Sequence, residues 1–136
     1  MKRNIIVDED DKFICYKLRK DIKTEDIYRV SALWITNSKG EILLAKRALT
    51  KKNDPGKWGP AVAGTVDEGE SYEENIVKEA EEELGLKNLN VNEGPKTKTG
   101  GLHKHFTQWF TTELDMKLES FKTQEEEVAE IKWWNK

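Results

Sequence analysis

The chain has 136 residues, a formal net charge of -3, apolar and charged fractions of 36% each, and one cysteine. This length is that of one ordinary domain, and the negative charge argues against a general nucleic-acid binder. One cysteine cannot form an internal disulfide, no apolar run approaches the roughly 20 residues that span a membrane, and the start is too acidic for a signal peptide. We therefore expect a cytoplasmic protein with a single domain over 1–136.

The first half of the chain predicts short strands joined by turns. The apolar runs "NIIV" and "KFICYKL" flank the turn "DEDD" and predict a β-hairpin, an N-terminal extension over 1–27. The β-branched and aromatic run Tyr28–Thr36 predicts a core strand, and Glu41–Arg47 predicts its hairpin partner. A loop, "ALTKKNDPGKWGP", separates these strands from a short strand at "AVAGTV".

One helix is well marked. Ser71 followed by Glu74 forms a capping box, an apolar stripe runs from Ile76 to Leu84, and Gly85 is placed to end the helix. Strand-like residues up to Asn92, a loop over "NEGPKTKTGG", a strand over "HKHFTQWFTTEL" and a last strand at "VAEIKWW" are expected to follow. This order of elements predicts an α+β fold with a mixed sheet.

The helix carries its acids at the unfavourable end. Glu79, Glu82 and Glu83 share one arc of the predicted helix, near its C-terminus, where carboxylates are disfavoured by a few tenths to about 1 kcal/mol each. At these spacings the three also repel one another, and two of them lie beside the apolar stripe. A solvated acidic face is the simplest interpretation of such a pattern. A divalent cation such as Mg²⁺, which prefers carboxylate and water oxygens, would remove all three penalties.

The segment Gly64–Leu86 resembles the signature of the Nudix family, G-x5-E-x7-R-E-U-x-E-E-x-G-U, where U is aliphatic. Its fixed glycines and glutamates are all present, and the departure is Lys78, where the family has arginine. The similarity extends over roughly Tyr28 to Trp134, and its first part is similar to the branch related to isopentenyl diphosphate isomerases.

The resemblance implies a Nudix fold, a mixed sheet between helices with a loop–helix–loop metal site. It also implies a hydrolase in which water attacks phosphorus in a diphosphate linkage, with Mg²⁺ as cofactor and Mn²⁺ as its substitute. We expect a small-molecule substrate, a nucleoside diphosphate derivative. The metal ligands implied are the carboxylates of Glu79, Glu82 and Glu83 and the carbonyl of Gly64. Glu70 would support the site, and Lys78 would brace a carboxylate less rigidly than arginine does.

Two other functions are weighed against hydrolysis. Isomerases of the family use a cysteine just before the helix and a cluster of histidines, whereas this chain has 60–63 "PAVA" there, Tyr28 in place of a histidine, and two histidines in all. A non-catalytic binding module on the same fold usually lacks some of the signature glutamates, which this chain retains. Neither alternative fits the residues as well as hydrolysis does.

Residues outside the signature are weaker candidates for the site. Arg47 is the best candidate to bind phosphate oxygens, while solvation is the simpler interpretation of Lys51, Lys52 and Lys57. Arg29 either faces the site or braces a carboxylate, and Trp58 is either a core residue or a surface for a base. The remaining candidates, for which a packed or exposed position is the simpler interpretation, are a general base among Glu125, Glu126 and Glu127 and metal ligation by His103 or His105.

The family's usual C-terminal helix is missing after "IKWWNK". We therefore expect Trp133 or Trp134 to be partly uncovered, or to be covered by a second subunit in a homodimer.

Overall fold

The computed structural model describes residues 2–51, 55–124 and 126–135. These residues form one mixed β-sheet and one α-helix, α1, with short 3-10 helices at Arg19–Asp21 and Leu118–Ser120. In chain order the elements are β1 Asn4–Val7, β2 Phe13–Lys17, β3 Ile27–Thr36, β4 Ile42–Arg47, β5 Trp58–Pro60, β6 Val62–Thr65, α1 Tyr72–Leu84, β7 Asn92–Thr99, β8 His105–Glu113 and β9 Val128–Trp134. The predicted α+β fold with a mixed sheet is confirmed.

Strand β3 is the centre of the sheet. It pairs antiparallel with β1, β4 and β6, and parallel with β8 over its whole length. The register that matters for the site places Ser31 opposite Gly64 and Tyr28 opposite His105. The β-branched and aromatic residues of β3 explain this central position, because they pack well on a pleated, buried surface.

The main core lies between the sheet and α1. Leu33 and Ile35 of β3 point toward the helix, where the fully buried Ile76 and Leu84 meet them. These positions match the predicted apolar stripe of the helix. Truncating a buried leucine such as Leu84 to alanine would cost about 2–5 kcal/mol. The core therefore fixes the rotation of α1, and with it the direction in which the helix presents its glutamates.

Both ends of α1 are as the sequence predicts. The Ser71 hydroxyl accepts a hydrogen bond from the Glu74 N–H, and the Glu74 carboxylate accepts one from the Ser71 N–H. Gly85 ends the helix with φ 72°, in the left-handed region that glycine adopts at little cost. The first turn of the helix is thereby anchored directly after the loop that holds Glu70.

The N-terminal hairpin is a continuation of the same sheet. Strand β1 pairs with β2 on one side and with β3 on the other. Ile5, Val7 and Ile27 form a second buried cluster together with Val66 and Phe106. The hairpin therefore lies beside the β6–α1 connection. Among the described residues, no helix combines the length and the apolar character needed to cross a membrane.

The segment "NEGPKTKTGG" is a strand, so the loop predicted for it is wrong. Strand β7 covers most of it, and the residues between Gly85 and Asn92, predicted to be strand-like, are irregular. Gly94 and Pro95, which are typical of loops, led to the wrong prediction. They lie at an irregularity of the register between Glu93 and Lys96. An exposed edge strand tolerates both residue types at such a bulge.

The last strand leaves one of its tryptophans open. Trp133 packs against Phe121 and donates its indole N–H to the carbonyl of Met116. Trp134 is 42% exposed. In the single chain Trp134 is thus partly uncovered, as predicted, and its covering by a second subunit stays a prediction.

Candidate active site

A cleft of about 830 Å³ opens beside the end of α1. Such a volume suits a ligand of small-molecule size. The walls near the helix include Gly64, Asp67, Glu79, Glu83, Arg47, Lys51 and Glu127. A smaller cavity of about 330 Å³ shares Arg47, Glu83 and Glu127 with the cleft and extends to Lys57 and Trp58.

The carboxyl groups of Glu79 and Glu83 are in hydrogen-bonding contact inside this cleft. Glu83 is 8% exposed and Glu79 is half-buried. Burial, together with the hydrogen bond and charge of Glu79, raises the pKa of Glu83 to about 10. Burial likewise raises the pKa of Glu79. The pair therefore binds one proton near neutral pH, and a cation between the two groups would replace that proton.

The absence of a side chain at Gly64 leaves room for the Glu79 side chain. A Cβ at position 64 would lie 2.6 Å from Cγ and 2.7 Å from Cδ of Glu79, closer than any side chain permits. The main chain of β6 thus passes directly beside the carboxylate. This close approach requires glycine at position 64 and brings a backbone segment next to the two glutamates.

Lys78 contacts Glu70, and this pair lies at the edge of the carboxylate site. The ammonium Nζ is 2.6 Å from Oε2 of Glu70, 3.6 Å from Asp67 and 3.9 Å from Glu79. Burial acts to raise the pKa of Glu70, but Lys78, the Asp67 N–H and Asn75 outweigh it and lower the pKa overall. Lys78 therefore braces a carboxylate of the signature, and this carboxylate is Glu70.

Asn75 is a residue of this network that the sequence did not single out. Its side chain is fully buried and donates from Nδ2 to the carbonyl of Thr65 and to Oε1 of Glu70. Asn75 thus joins α1, β6 and the loop that bears Glu70. The available signal was its position four residues before Glu79, on the same face of the helix. Asp67, which lines the cleft near Lys78, was likewise not singled out.

Glu82 does not join the other two glutamates. It is exposed, and its charge acts on Glu79 from nearby. Within 2–51, 55–124 and 126–135, no three carboxylate, imidazole or thiolate side chains are close enough together to hold a cation as they stand. Repulsion explains this arrangement, because a third carboxylate is better solvated by water than placed against two others. The predicted meeting of three glutamates is therefore observed for Glu79 and Glu83 only.

The wall opposite α1 carries charges of both signs. Glu127 lines both cavities, and its Oε2 accepts a hydrogen bond from Nζ of Lys51 at 2.7 Å. Arg47, at the end of β4, lies where the two cavities meet. Glu126 is exposed, whereas Lys52 and Glu125 lie outside the described residues. Of the two glutamates considered as the general base that the structure describes, Glu126 and Glu127, it is Glu127 that lines the cleft.

Arg29 is engaged away from the cleft. Its Nε donates to Oδ1 of Asp11 at 2.8 Å, a second nitrogen donates to the Asp11 carbonyl, and its guanidinium lies over the ring of Tyr72. Asp11 is the turn residue of the N-terminal hairpin and also binds Lys96 at 2.6 Å. Successive side chains of β3 point to opposite faces of the sheet. Because Tyr28 and Val30 line the cleft, Arg29 points to the other face, and its predicted contact with substrate is wrong. Arg29 braces a carboxylate and is not placed to contact substrate.

The residues present fit a divalent metal ion. The site is rich in oxygen atoms. Glu79 and Glu83 are in contact, the backbone of Gly64 lies against Glu79, and the charge of a third carboxylate, Glu127, acts on Glu83. Mg²⁺ prefers such ligands and retains part of its water shell. His103 and His105 also line the cleft: the His105 ring is tilted against the Tyr28 ring with the centroids 5.3 Å apart, and its Nδ1 is 2.8 Å from the carbonyl oxygen of His103.

Comparisons with known proteins identify the family of this chain. A model of the Nudix domain family matches residues 27–136. Isopentenyl-diphosphate Delta-isomerase of Escherichia coli O6:H1 is 43% identical over 53 residues, which cover 39% of this chain and 29% of that protein. An uncharacterized Nudix hydrolase of Pseudomonas aeruginosa is 33% identical over 88 residues, 64% of this chain and 52% of that protein. The chain thus spans about half or less of the length of these relatives.

Solved structures share the fold. The crystal structure of DR0079 from Deinococcus radiodurans superposes with a TM-score of 0.80 at 24% identity, covering 96% of this chain and 82% of that one. The Nudix domain of NrtR from Shewanella oneidensis, solved with ADP ribose, gives a TM-score of 0.64 at 18% identity, covering 78% of this chain and 71% of that one. At these identities the likeness extends to the fold alone.

Proposed function

Because the chain belongs to the Nudix domain family, we propose that it hydrolyses a diphosphate linkage in a nucleoside diphosphate derivative, with Mg²⁺ as cofactor and Mn²⁺ as its substitute. The observation that carries the proposal is the buried, proton-sharing pair of Glu79 and Glu83 beside the Gly64 backbone. Two acids forced together in a cleft are costly unless a cation binds them. A cytoplasmic location stays part of the proposal.

Glu79, Glu83 and the carbonyl of Gly64 would hold the cation, and Glu82 would join them by rotating its exposed side chain. When bound there, Mg²⁺ neutralises phosphate oxygens and lowers the pKa of a bound water. Lys78 keeps Glu70 ionised and in position through its 2.6 Å contact, and Asn75 fixes the same carboxylate from the other side. These two residues position the site and are not themselves in contact with the reacting atoms.

The remaining cleft residues supply proton transfer and phosphate binding. Glu127 faces the cleft and can take the proton of the attacking water, while Lys51 fixes its Oε2. Arg47 stands at the junction of the two cavities, a position from which it can reach phosphate oxygens. Lys57 and Trp58, which is 38% exposed, line the smaller cavity, so a base or sugar held there would contact them.

An isomerase is the second candidate because of the similarity over 53 residues. The site does not support this chemistry. The chain's one cysteine, Cys15, is on β2 and does not line the described cleft. The segment before the helix, where isomerases of the family have their cysteine, therefore contains none. Formation of dimethylallyl diphosphate from isopentenyl diphosphate would overturn this argument. The other candidate, a binding module without activity, predicts binding of a diphosphate compound and no cleavage.

A panel of diphosphate compounds tests the proposal. The panel holds nucleoside di- and triphosphates, nucleotide sugars, dinucleotides, ADP-ribose and prenyl diphosphates, each with Mg²⁺, with Mn²⁺ and with a chelator. We expect metal-dependent cleavage of at least one nucleoside diphosphate derivative, with ¹⁸O from labelled water in a phosphate product. No cleavage of any member, with binding retained, would favour the binding module. Glu81→Gln is the matched control for the site variants, because Glu81 is an exposed glutamate in the same helical turn.

A further inference from the structure

Part of the cleft lining outside the signature is basic. Lys2 before β1, Arg19 in the first 3-10 helix and His103 before β8 line it, and these three residues are called the basic wall below. Tyr28 and His105 line the same cleft, with their rings 5.3 Å apart. None of these residues belongs to the signature or to the proposed metal site.

Two residues of the basic wall, Lys2 and Arg19, differ from Lys51 and Lys78 near the cleft in that they form no ion pair with a described carboxylate. Lys51 is bound to Glu127 at 2.7 Å and Lys78 to Glu70 at 2.6 Å. Within the described ranges, by contrast, neither Lys2 nor Arg19 has an ion-pair partner, although both line the cleft. Unpaired cations along a cleft create a positive potential that attracts an anionic ligand group.

The sheet register sets the distance between Tyr28 and the carboxylate site. Gly64 is opposite Ser31, and Tyr28 lies three residues earlier on β3. At the rise of a strand this separation is about 10 Å. Arg19 is close enough to Tyr28 to oppose, by its charge, the rise that burial causes in the Tyr28 pKa. A distance of about 10 Å exceeds the length of a diphosphate group, so a phosphate beside Tyr28 would be additional to a diphosphate held at Gly64.

A neighbouring cavity extends the same positive region. It measures about 320 Å³ and shares Tyr28 and His103 with the cleft. Lys23 and Lys104 also line it, and neither forms an ion pair among the residues that the structure describes. Asp26, the carboxylate on this lining, is held by Lys17 at 2.7 Å. The balance of charge around Tyr28 is therefore positive.

We propose that the basic wall binds a second phosphate group, carried by the substrate on the far side of a sugar-sized moiety from the scissile diphosphate. The substrate class is a nucleoside diphosphate derivative with an additional phosphomonoester. Arg19 and Lys2 make charge-assisted contacts with this phosphate, and the rings of Tyr28 and His105 contact the moiety between the two anionic groups. This inference rests on the proposed hydrolysis, because it concerns the substrate of the same cleft.

Pairs of compounds that differ by one phosphate test the inference. NADPH carries a 2′-phosphate that NADH lacks, and coenzyme A carries a 3′-phosphate that its dephospho form lacks. For at least one pair, we expect kcat/KM with Mg²⁺ to be about tenfold or more higher for the phosphorylated member, since contacts of charged groups are the strong ones. The double substitution Lys2→Ala and Arg19→Ala should bring that ratio to about one, with the unphosphorylated compound turned over as before.

Lys39→Ala is the matched control. Lys39 is exposed in the turn after β3, at the opposite end of that strand from Tyr28, and its removal changes the net charge in the same direction. It should leave the ratio unchanged. Ratios near one for both pairs in the unaltered protein, or a ratio that survives the double substitution, would overturn the inference.

Binding without cleavage separates failure of this inference from failure of the proposed hydrolysis. Adenosine 3′,5′-bisphosphate and AMP contain no diphosphate linkage, and calorimetry can compare them directly. We expect tighter binding of the bisphosphate, lost in the double variant. A protein that cleaves diphosphates but shows no preference for the second phosphate would refute the basic-wall site only. A protein that prefers the bisphosphate through Arg19 but cleaves nothing would refute the hydrolysis only.

Discussion

Replacing Glu83 by glutamine isolates the cost of the carboxylate pair while keeping the shape of the side chain. In the metal-free protein Glu83 is buried against Glu79, and its pKa is about 10 against an ordinary 4.5. A glutamine there can still donate to Glu79 and carries no charge. We therefore expect Glu83→Gln to be more stable than the unaltered protein without metal, although the same change removes a proposed metal ligand.

The magnitude follows from the pKa. Each unit of difference is worth about 1.4 kcal/mol, so at pH 7.5, about three units above the ordinary value, the retained proton costs at most about 4 kcal/mol. Because the Glu79 carboxylate can turn toward water, we expect a gain of about 1–2 kcal/mol in the variant. At pH 4.5 and below, folded and unfolded chains both hold the proton and the gain vanishes. As pH rises above 4.5, the unaltered protein loses stability relative to the variant.

Urea unfolding with a chelator, at several pH values between 4.5 and 8, measures this difference. Added Mg²⁺ should reverse the order, because a ligand at a hundredfold excess over its Kd stabilises by about 2.7 kcal/mol and the variant lacks part of the site. Glu81→Gln, with the same charge change in the same turn, should gain only a few tenths of a kcal/mol at every pH. Equal stabilities of Glu83→Gln and the unaltered protein at all pH values, or equal stabilisation of both by Mg²⁺, would refute this reasoning.

Substitutions at three other residues test the surroundings of the pair. Lys78→Arg should keep or raise Mg²⁺-dependent turnover. Lys78→Met should lower it about tenfold, roughly 1.4 kcal/mol in the barrier, because Glu70 loses its 2.6 Å contact. Equal rates for lysine and methionine would show that Lys78 plays no part in the site. Gly64→Ala should lower turnover about a hundredfold, because the added methyl group displaces Glu79, and it should change Tm little. Unchanged turnover would show that the close approach of the Gly64 backbone to Glu79 is unimportant. Asn75→Leu should destabilise the protein by about 1–3 kcal/mol in urea unfolding and also lower turnover; a variant as stable as the parent would contradict the bridging role of Asn75.

Local signals were sufficient to predict α1 and most strands. The capping box at Ser71, the apolar stripe and Gly85 each depend on residues within a few positions, and the structure has all of them. The strand β7 was not predictable in the same way. Its "KTKT" alternation has no apolar face, and it is ordered by antiparallel pairing with β8, the next strand along the chain. Tertiary pairing here overrides a turn-like composition.

The site was predictable to the extent that it lies on one helix. Helical spacing correctly indicates that Glu79 and Glu83 meet beside the core, since both lie on one turn of α1. The same spacing placed Glu82 with them, because angular position does not reveal which carboxylate turns to water. The partner of Arg29 depends on which face of β3 it occupies and on where the turn at Asp11 folds back. The basic wall likewise unites Lys2, Arg19 and His103 from three separate segments.

The most direct test of the account is the Mg²⁺ dependence of diphosphate hydrolysis by the unaltered protein and by Glu79→Gln, measured on the best substrate of the panel. We predict that turnover by the unaltered protein is absent with a chelator and saturates as Mg²⁺ is added. Glu79→Gln should lose turnover by orders of magnitude while staying folded, and Glu81→Gln should behave as the unaltered protein. Metal-independent turnover, or full turnover in Glu79→Gln, would contradict the claim that this carboxylate pair holds the catalytic cation.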